Sequence, residues 1–366
     1  MSHGKFEEGP KVTEAWVCYE EGGPLRLTEI ALPPLTATMI EVEMTHCGLC
    51  HTDIHMRDND WGISDYPLVL GHEGIGSVVK VGSCVRGFEE GDTAGIHWIR
   101  DSCQVCTNCR QGRENICTSG FQGTYLGPAA GIYGKTPHNT HGGAFSKVMR
   151  IEARFAIKIP PSVTPDIICP LLCGGGTVFE AIVEYVKPGS QVAVSSIGGL
   201  GTAAIKLAKL YGGQVTALSR GEAKKDKAFS VGADGYYGCI GNDMMTDALE
   251  GTFDVLIDTC PVNKPIDHLL GLLKIGGTYV RVGLPAASDN TFTYNFGALV
   301  CGQKKIAGSF VTGTERLNNL VNLASELVPD SAEWKTEVLP FGDVNETMDL
   351  LKEGKTGSTW RYIFQW

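Results

Sequence analysis

QVAVSSIGGLGTAAIKLAKLY, residues 191–211, joins an apolar run to a glycine cluster and then to a segment with helical periodicity. Gln191–Ser195 reads as a buried strand and Thr202–Tyr211 as a helix with one apolar face. Between them Gly198, Gly199, Leu200 and Gly201 form a turn that lets the backbone approach a pyrophosphate, whose charge then meets a helix N-terminus. The motif is imperfect, because Ser196 stands where the first glycine of G-x-G-x-x-G is expected. The strand–loop–helix context gives it weight that a lone glycine loop would lack.

Downstream, strands at Gln214–Leu218, Val255–Asp258 and Thr278–Val282 alternate with helical stretches, the signature of a doubly wound parallel sheet. At the end of the second strand a site for NAD would carry Asp or Glu to hold the ribose 2′-hydroxyl. The chain instead reads Ser219, Arg220, with Lys224 and Lys225 following and Glu222 the one opposing charge. Arginine and lysine pair with a 2′-phosphate, so NADP(H) is favoured over NAD. A solvated basic helix start is the competing account of the two lysines.

The opening third has a different character. Residues 11–45 read as short strands broken by Gly22-Gly23-Pro24 and Pro33-Pro34, and Gly74–Gly91 as a glycine-punctuated strand region. Together they suggest an irregular all-β unit. The segment 119–143 is rich in Gly, Pro and aromatics without periodicity, and reads as an ordered or lid-like loop. A helix over Leu317–Leu327 and a closing strand over Tyr362–Trp366 return the chain to this first unit.

Two cysteine and histidine constellations imply metal. Cys103-x2-Cys106-x2-Cys109-x7-Cys117 offers four thiolates within one polar loop, the spacing of a closed tetrahedral zinc site that locks the loop and leaves no position for substrate. The alternative, four reduced thiols exposed together, is a chemical liability. Thr45–Glu73 adds two cysteines and four histidines. Cys50 and His72 are two candidate ligands of a catalytic zinc, whose ligands are gathered from distant parts of the chain. Cys173 is the candidate third thiolate and Cys169 its rival in a more apolar setting; Cys47 reads as a small buried residue and His46 as structural.

The chain has 366 residues, 43% hydrophobic and 20% charged, enough for two domains with separate cores. A formal net charge of −10 argues against nucleic-acid or anionic-membrane partners. The N-terminal MSHGKFEEGP has no apolar signal core, and no run of 18 apolar residues suggests a membrane span. Thirteen cysteines, an odd number and clustered, point to a reducing compartment, the cytoplasm.

These motifs together resemble the zinc-dependent medium-chain dehydrogenase/reductases, and within them the cinnamyl-alcohol-dehydrogenase-like, NADPH-preferring alcohol dehydrogenases. The most specific element is Gly71-His72-Glu73-x2-Gly76-x5-Gly82, supported by Cys47-Gly-Leu-Cys50-His51-Thr52-Asp53, the four-cysteine loop and Leu171-Leu-Cys173-Gly. The resemblance implies a GroES-like β-rich catalytic domain from residues 1–173 and 313–366, with a Rossmann domain inserted at 174–312. It implies Cys50, His72 and Cys173 as ligands of the catalytic zinc, with Glu73 an alternate fourth, so that each chain holds two zinc ions. Thr52 would contact the substrate oxygen and start a proton relay ending at His55, with Asp53 behind the ligands. His51 and Thr177 would touch the cofactor, and Trp61 and Trp98 would shape the substrate pocket. The implied reaction is hydride transfer between NADP(H) and a primary alcohol/aldehyde pair, in a homodimer joined through its nucleotide domains. The rivals are an alkene or iminium reductase on the same scaffold, which typically lacks zinc ligands or the relay threonine, and a non-catalytic NADPH-binding structural protein, which has no use for a relay.

Overall fold

In the computed structural model the described residues are 11–124, 142–238, 248–263, 265–289, 291, 293–327, 336–355 and 359–366. Six parallel strands form the nucleotide-type sheet, in the order Gly235–Tyr237, Gln214–Leu218, Gln191–Ser195, Phe253–Asp258, Leu273–Arg281, Lys305–Gly308. Numbered along the chain this order is 3-2-1-4-5-6, with its switch point beside Gln191–Ser195, where such sheets bind ligands beyond the strand ends. The helix after the first strand covers Gly199–Leu210, three residues earlier than its composition suggested. Glycine is a poor helix former, but Gly201 packs where nothing larger fits: a β-carbon there would lie 1.9 Å from the carbonyl oxygen of Ser196.

A second sheet runs Ala156–Lys158, Thr93–Ile96, Gly74–Val81, Met39–Gly48, Arg361–Gln365, Thr336–Pro340, with Val148–Glu152 also pairing on Met39–Gly48. The late strand Arg361–Gln365 is antiparallel to Met39–Gly48 and parallel to Thr336–Pro340. The expected strand Tyr362–Trp366 is therefore present, displaced by one residue. The three-stranded sheet Leu25–Ala31, Val12–Cys18, Leu68–Val69 packs nearby.

The opening third is not wholly β. His51–Arg57 is a helix, set by Asp53 at its third position, whose Oδ2 accepts from the backbone N–H of Cys50 at 2.9 Å. The four-cysteine segment likewise contains a short helix, Thr107–Arg110. Of the glycine-rich stretch 119–143, residues 125–141 lie outside those described.

One continuous rod, Pro165–Tyr185, links the two sheets as α-helix, π-turn Leu171–Gly175 and α-helix again. By length and composition it could cross a membrane, but 89% of its most apolar window is buried. Asp166, Glu180 and Glu184 interrupt it. Its apolar side chains instead fill the large core under the parallel sheet, with Ile167, Ile168, Val178 and Ile182 packed among Val192, Val194, Ile205 and Leu207. The other sheet closes on its own core, centred on Ile40, Val42, Met44, Phe145 and Phe364.

Candidate active site

Four side chains from three distant segments converge. The ligand atoms of Cys50, His72, Glu73 and Cys173 all lie within 4.8 Å of one another, and all four residues are buried. Cys50 precedes the helix His51–Arg57, and His72-Glu73 lead into the strand Gly74–Val81. Cys173 sits in the π-turn of the linking rod. π-Turns widen a helix and re-aim side chains, often at functional sites. This one brings the Cys173 sulfur to 3.9 Å from that of Cys50. Two thiolates on one tetrahedral zinc, at about 2.3 Å each, sit about 3.8 Å apart, so the spacing fits that metal. Cys169, one turn earlier, is in the apolar core, as is Cys47. His46 is half-buried, with Nδ1 3.1 Å from the Thr45 hydroxyl, and is not among the convergent groups.

Packed together, these groups shift one another strongly. The hydrogen bond from Cys173, with Arg361 and His72 nearby, holds the Cys50 thiol well below its usual range. The same bond and burial push Cys173 well above it. His72 is fully buried, which disfavours its charge, but the Asp53 carboxylate outweighs this and carries it up to about 10. Asp53 Oδ1 lies 3.3 Å from His72 Nδ1, which leaves Nε2 as the ligand atom. Burial raises Glu73 to about 8 against the pull of Arg361, whose guanidinium lies 3.0 Å from its carboxylate. Gly48 leaves room for that carboxylate: a β-carbon there would meet Glu73 Oε2 at 2.2 Å.

The helix after Cys50 carries the rest of the machinery. Thr52 is half-buried, and His55 lies one turn further on. His55 Nδ1 is 2.7 Å from the Asp60 carboxylate, so that nitrogen carries the proton and Nε2 accepts. Trp61 stacks on His55 with centroids 4.8 Å apart. Its indole N–H donates to the carbonyl of Pro285 at 3.1 Å, while the Ala287 N–H donates to the carbonyl of Asp60 at 3.0 Å. Residues 60 and 61 thus bind the loop that follows strand Leu273–Arg281. Trp98 is buried, its ring set edge-on against His72 at 5.1 Å. His51 is exposed, 5.5 Å from His55 between centroids.

At the glycine turn, a β-carbon on Gly198 would project into open space, the cradle a phosphate requires. Gly199 carries the carbonyl that accepts from the Trp360 indole at 2.8 Å, and Leu200 is half-buried in the same turn. Lys224 donates to the carbonyl of Ile197 at 2.9 Å, and burial and Arg220 lower its pKa. Arg220 is exposed and Ser219 buried beside it. Lys225 faces Glu222 at 3.4 Å, so the opposing charge is occupied there and not by Arg220. The Thr177 hydroxyl is engaged by the carbonyl of Cys173 at 2.8 Å.

In the second metal-type cluster, Cys103, Cys106, Cys109 and Cys117 also present sulfurs within 4.8 Å of one another. Backbone N–H groups of Cys109 and Thr118 lower Cys106 to about 5, whereas burial raises Cys109 to about 12. This lobe is anchored by buried Glu114, which accepts from the N–H of Thr314 at 3.1 Å and pairs with Arg154 at 3.3 Å.

Residues 36–161 match the alcohol dehydrogenase GroES-like domain family, and residues 199–326 match the zinc-binding dehydrogenase family. The chain is 38% identical over 327 residues to cinnamyl alcohol dehydrogenase 7 of Arabidopsis thaliana, covering 88% of this chain and 87% of that one. The chain belongs to the zinc-binding alcohol dehydrogenases. It is an oxidoreductase of the medium-chain dehydrogenase/reductase superfamily, similar to the cinnamyl alcohol dehydrogenases. It is also 36% identical over 311 residues to the probable formaldehyde dehydrogenase AdhA of Bacillus subtilis, covering 85% of each. Among solved structures, a cinnamyl alcohol dehydrogenase from Sorghum bicolor superposes with a TM-score of 0.87 at 30% identity, covering 97% of this alcohol dehydrogenase and 98% of that chain. A CAD from Helicobacter pylori complexed with NADP(H) shares the fold, with a TM-score of 0.86 at 23% identity, covering 98% of this chain and 99% of that one.

Asp60 and Arg361 were not legible as site residues. Asp60 lies five positions after His55, beyond the end of its helix, and Arg361 is 288 positions from Glu73.

Proposed function

We propose that this alcohol dehydrogenase interconverts primary alcohols and aldehydes with NADP(H), using one zinc ion at Cys50, His72, Glu73 and Cys173 and a second at the four-cysteine lobe. The observation that carries this reading is the convergence of two thiols, an imidazole and a carboxylate next to the helix bearing Thr52 and His55. When bound, zinc supplies Lewis acidity to a substrate oxygen and the nicotinamide supplies a hydride acceptor or donor.

The chain's own groups do the rest. Asp53 fixes the His72 ring. The Thr52 hydroxyl both donates and accepts, so it can hold the substrate proton in transit. Asp60 fixes the tautomer of His55, whose Nε2 is left to take that proton outward. Arg220 and Lys224, beside Ser219, favour a 2′-phosphate and hence NADP(H). The carrier pair of Trp61 and Trp98 beside His55 and His72 suits an aromatic, cinnamyl-type aldehyde, with medium-chain aliphatic aldehydes as the other class.

Homodimerisation through the nucleotide domain is supported by strand Lys305–Gly308, which ends the parallel sheet among the described residues, and by exposed Ile275, Phe296 and Val300, respectively 83%, 70% and 68% accessible. The thiol-rich metal clusters suit a reducing, cytoplasmic setting.

The deciding experiment follows NADPH oxidation with aliphatic, benzylic and cinnamyl aldehydes, alongside zinc analysis of the same sample. Aldehyde-dependent oxidation with two zinc ions per chain is expected. One zinc and no aldehyde turnover would transfer the argument to the alkene or iminium reductase.

A further inference from the structure

Ser196 takes φ +73°, in the left-handed region that a β-carbon disfavours. It occupies the position at which the phosphate turn ordinarily has glycine. The residue that holds it there is Thr259, buried immediately after strand Phe253–Asp258. The Thr259 hydroxyl lies 3.0 Å from the carbonyl oxygen of Ser195 and 3.0 Å from that of Ser196, so its single proton is shared between them. The Thr259 N–H donates to the same Ser195 carbonyl at 3.1 Å, and on the opposite side the Ser196 N–H donates to the carbonyl of Leu218 at 3.0 Å.

The turn is therefore pinned by the strands on both flanks. Thr259 is itself fixed from below, because Asp258 accepts from the Tyr279 hydroxyl and the Arg281 guanidinium, each at 2.7 Å. The Ser196 carbonyl is also the group on which Gly201 packs, in the first turn of helix Gly199–Leu210. Any shift of that carbonyl moves the helix N-terminus whose N–H groups face the cradle at Gly198.

We propose that Thr259 is a positioning residue for the dinucleotide pyrophosphate, its hydroxyl holding the Ser196 turn in the left-handed form that glycine would adopt unaided. This rests on the dinucleotide reading above, and applies to NADPH and NADH alike because both carry the pyrophosphate.

The test is a double-mutant cycle on the zinc-loaded enzyme, read by NADPH titration of protein fluorescence and by the KM for NADPH. Thr259→Val is expected to weaken NADPH about tenfold, the worth of one hydrogen bond, with the loss appearing in KM more than in kcat. Thr259→Ser should restore affinity. Ser196→Gly in the T259V background should recover most of it, because glycine needs no support at that φ. If T259V does not fold, Thr259→Cys, a similar shape with a weak donor, takes its place, with a loss of about threefold that S196G again removes. Wild-type affinity in T259V, or a folded variant that S196G does not rescue, overturns the proposal. A wild-type enzyme that binds neither NADPH nor NADH overturns the dinucleotide reading along with it.

Discussion

Asp53 Oδ1 stands 3.3 Å from His72 Nδ1, and the same carboxylate accepts from the N–H groups of Cys50 at 2.9 Å and Gly71 at 3.0 Å. One buried side chain thus fixes two ligand segments at once. Replacing it with asparagine keeps the shape and removes the charge. Asp53→Asn should weaken the catalytic zinc by about 10- to 100-fold and leave the four-cysteine zinc unaffected. Competition with a chromogenic chelator measures both; equal loss from the two sites would refute the assignment.

Thr52→Val should abolish aldehyde reduction while zinc content and NADPH affinity stay intact. Asp60→Asn should lower kcat by at least about tenfold, because the His55 tautomer is no longer fixed. Steady-state kinetics with parallel NADPH titrations separate these outcomes. Loss of cofactor binding in T52V would remove Thr52 from the relay.

His97 is buried close to His72, and burial drives its pKa down to about 3. In the unfolded chain it titrates near 6.5. Above that pH neither state is protonated and stability is complete. As pH falls below it only the unfolded state takes the proton, so stability drops by about 1.4 kcal/mol per pH unit towards pH 3. Urea unfolding between pH 6.5 and 5 should show wild type losing about 2 kcal/mol more than His97→Gln. Parallel pH profiles for the two proteins would show that His97 is not buried neutral.

Glu114→Ala should leave the Thr314 N–H without its acceptor, costing about 1–3 kcal/mol of stability. Thermal unfolding should fall while all four thiols still hold their zinc. A lobe that loses metal in this variant would mean that Glu114 supports the ligands directly.

The architecture was legible where order along the chain equals order in space. Strands Gln191–Ser195 and Gln214–Leu218 and the four-cysteine loop are local patterns, and each stands where its residues indicate. The helix His51–Arg57 was not, because seven residues beside a strand show too little periodicity, and only Asp53 at the third position marks its start. Cys173 could be preferred to Cys169 from the more apolar surroundings of the latter, but the geometry that aims it at the site could not be read. Four residues apart on one rod, they differ in aim through a π-turn that no propensity encodes. Arg361 and Thr259 were invisible for the same reason, since their partners are 288 and 63 positions away.

Strand Arg361–Gln365 lies inside the second sheet, between Met39–Gly48 and Thr336–Pro340, and carries the guanidinium that meets Glu73. During translation the parallel sheet, whose strands span residues 191–308, is complete while this position is still unfilled. A chain that has folded its parallel sheet but not yet placed this strand therefore carries a catalytic sheet with the Met39–Gly48 edge open and Glu73 without its guanidinium partner. An unpaired strand edge of this kind is prone to mispairing, so the late strand closes the sheet and completes the carboxylate's surroundings in the same step.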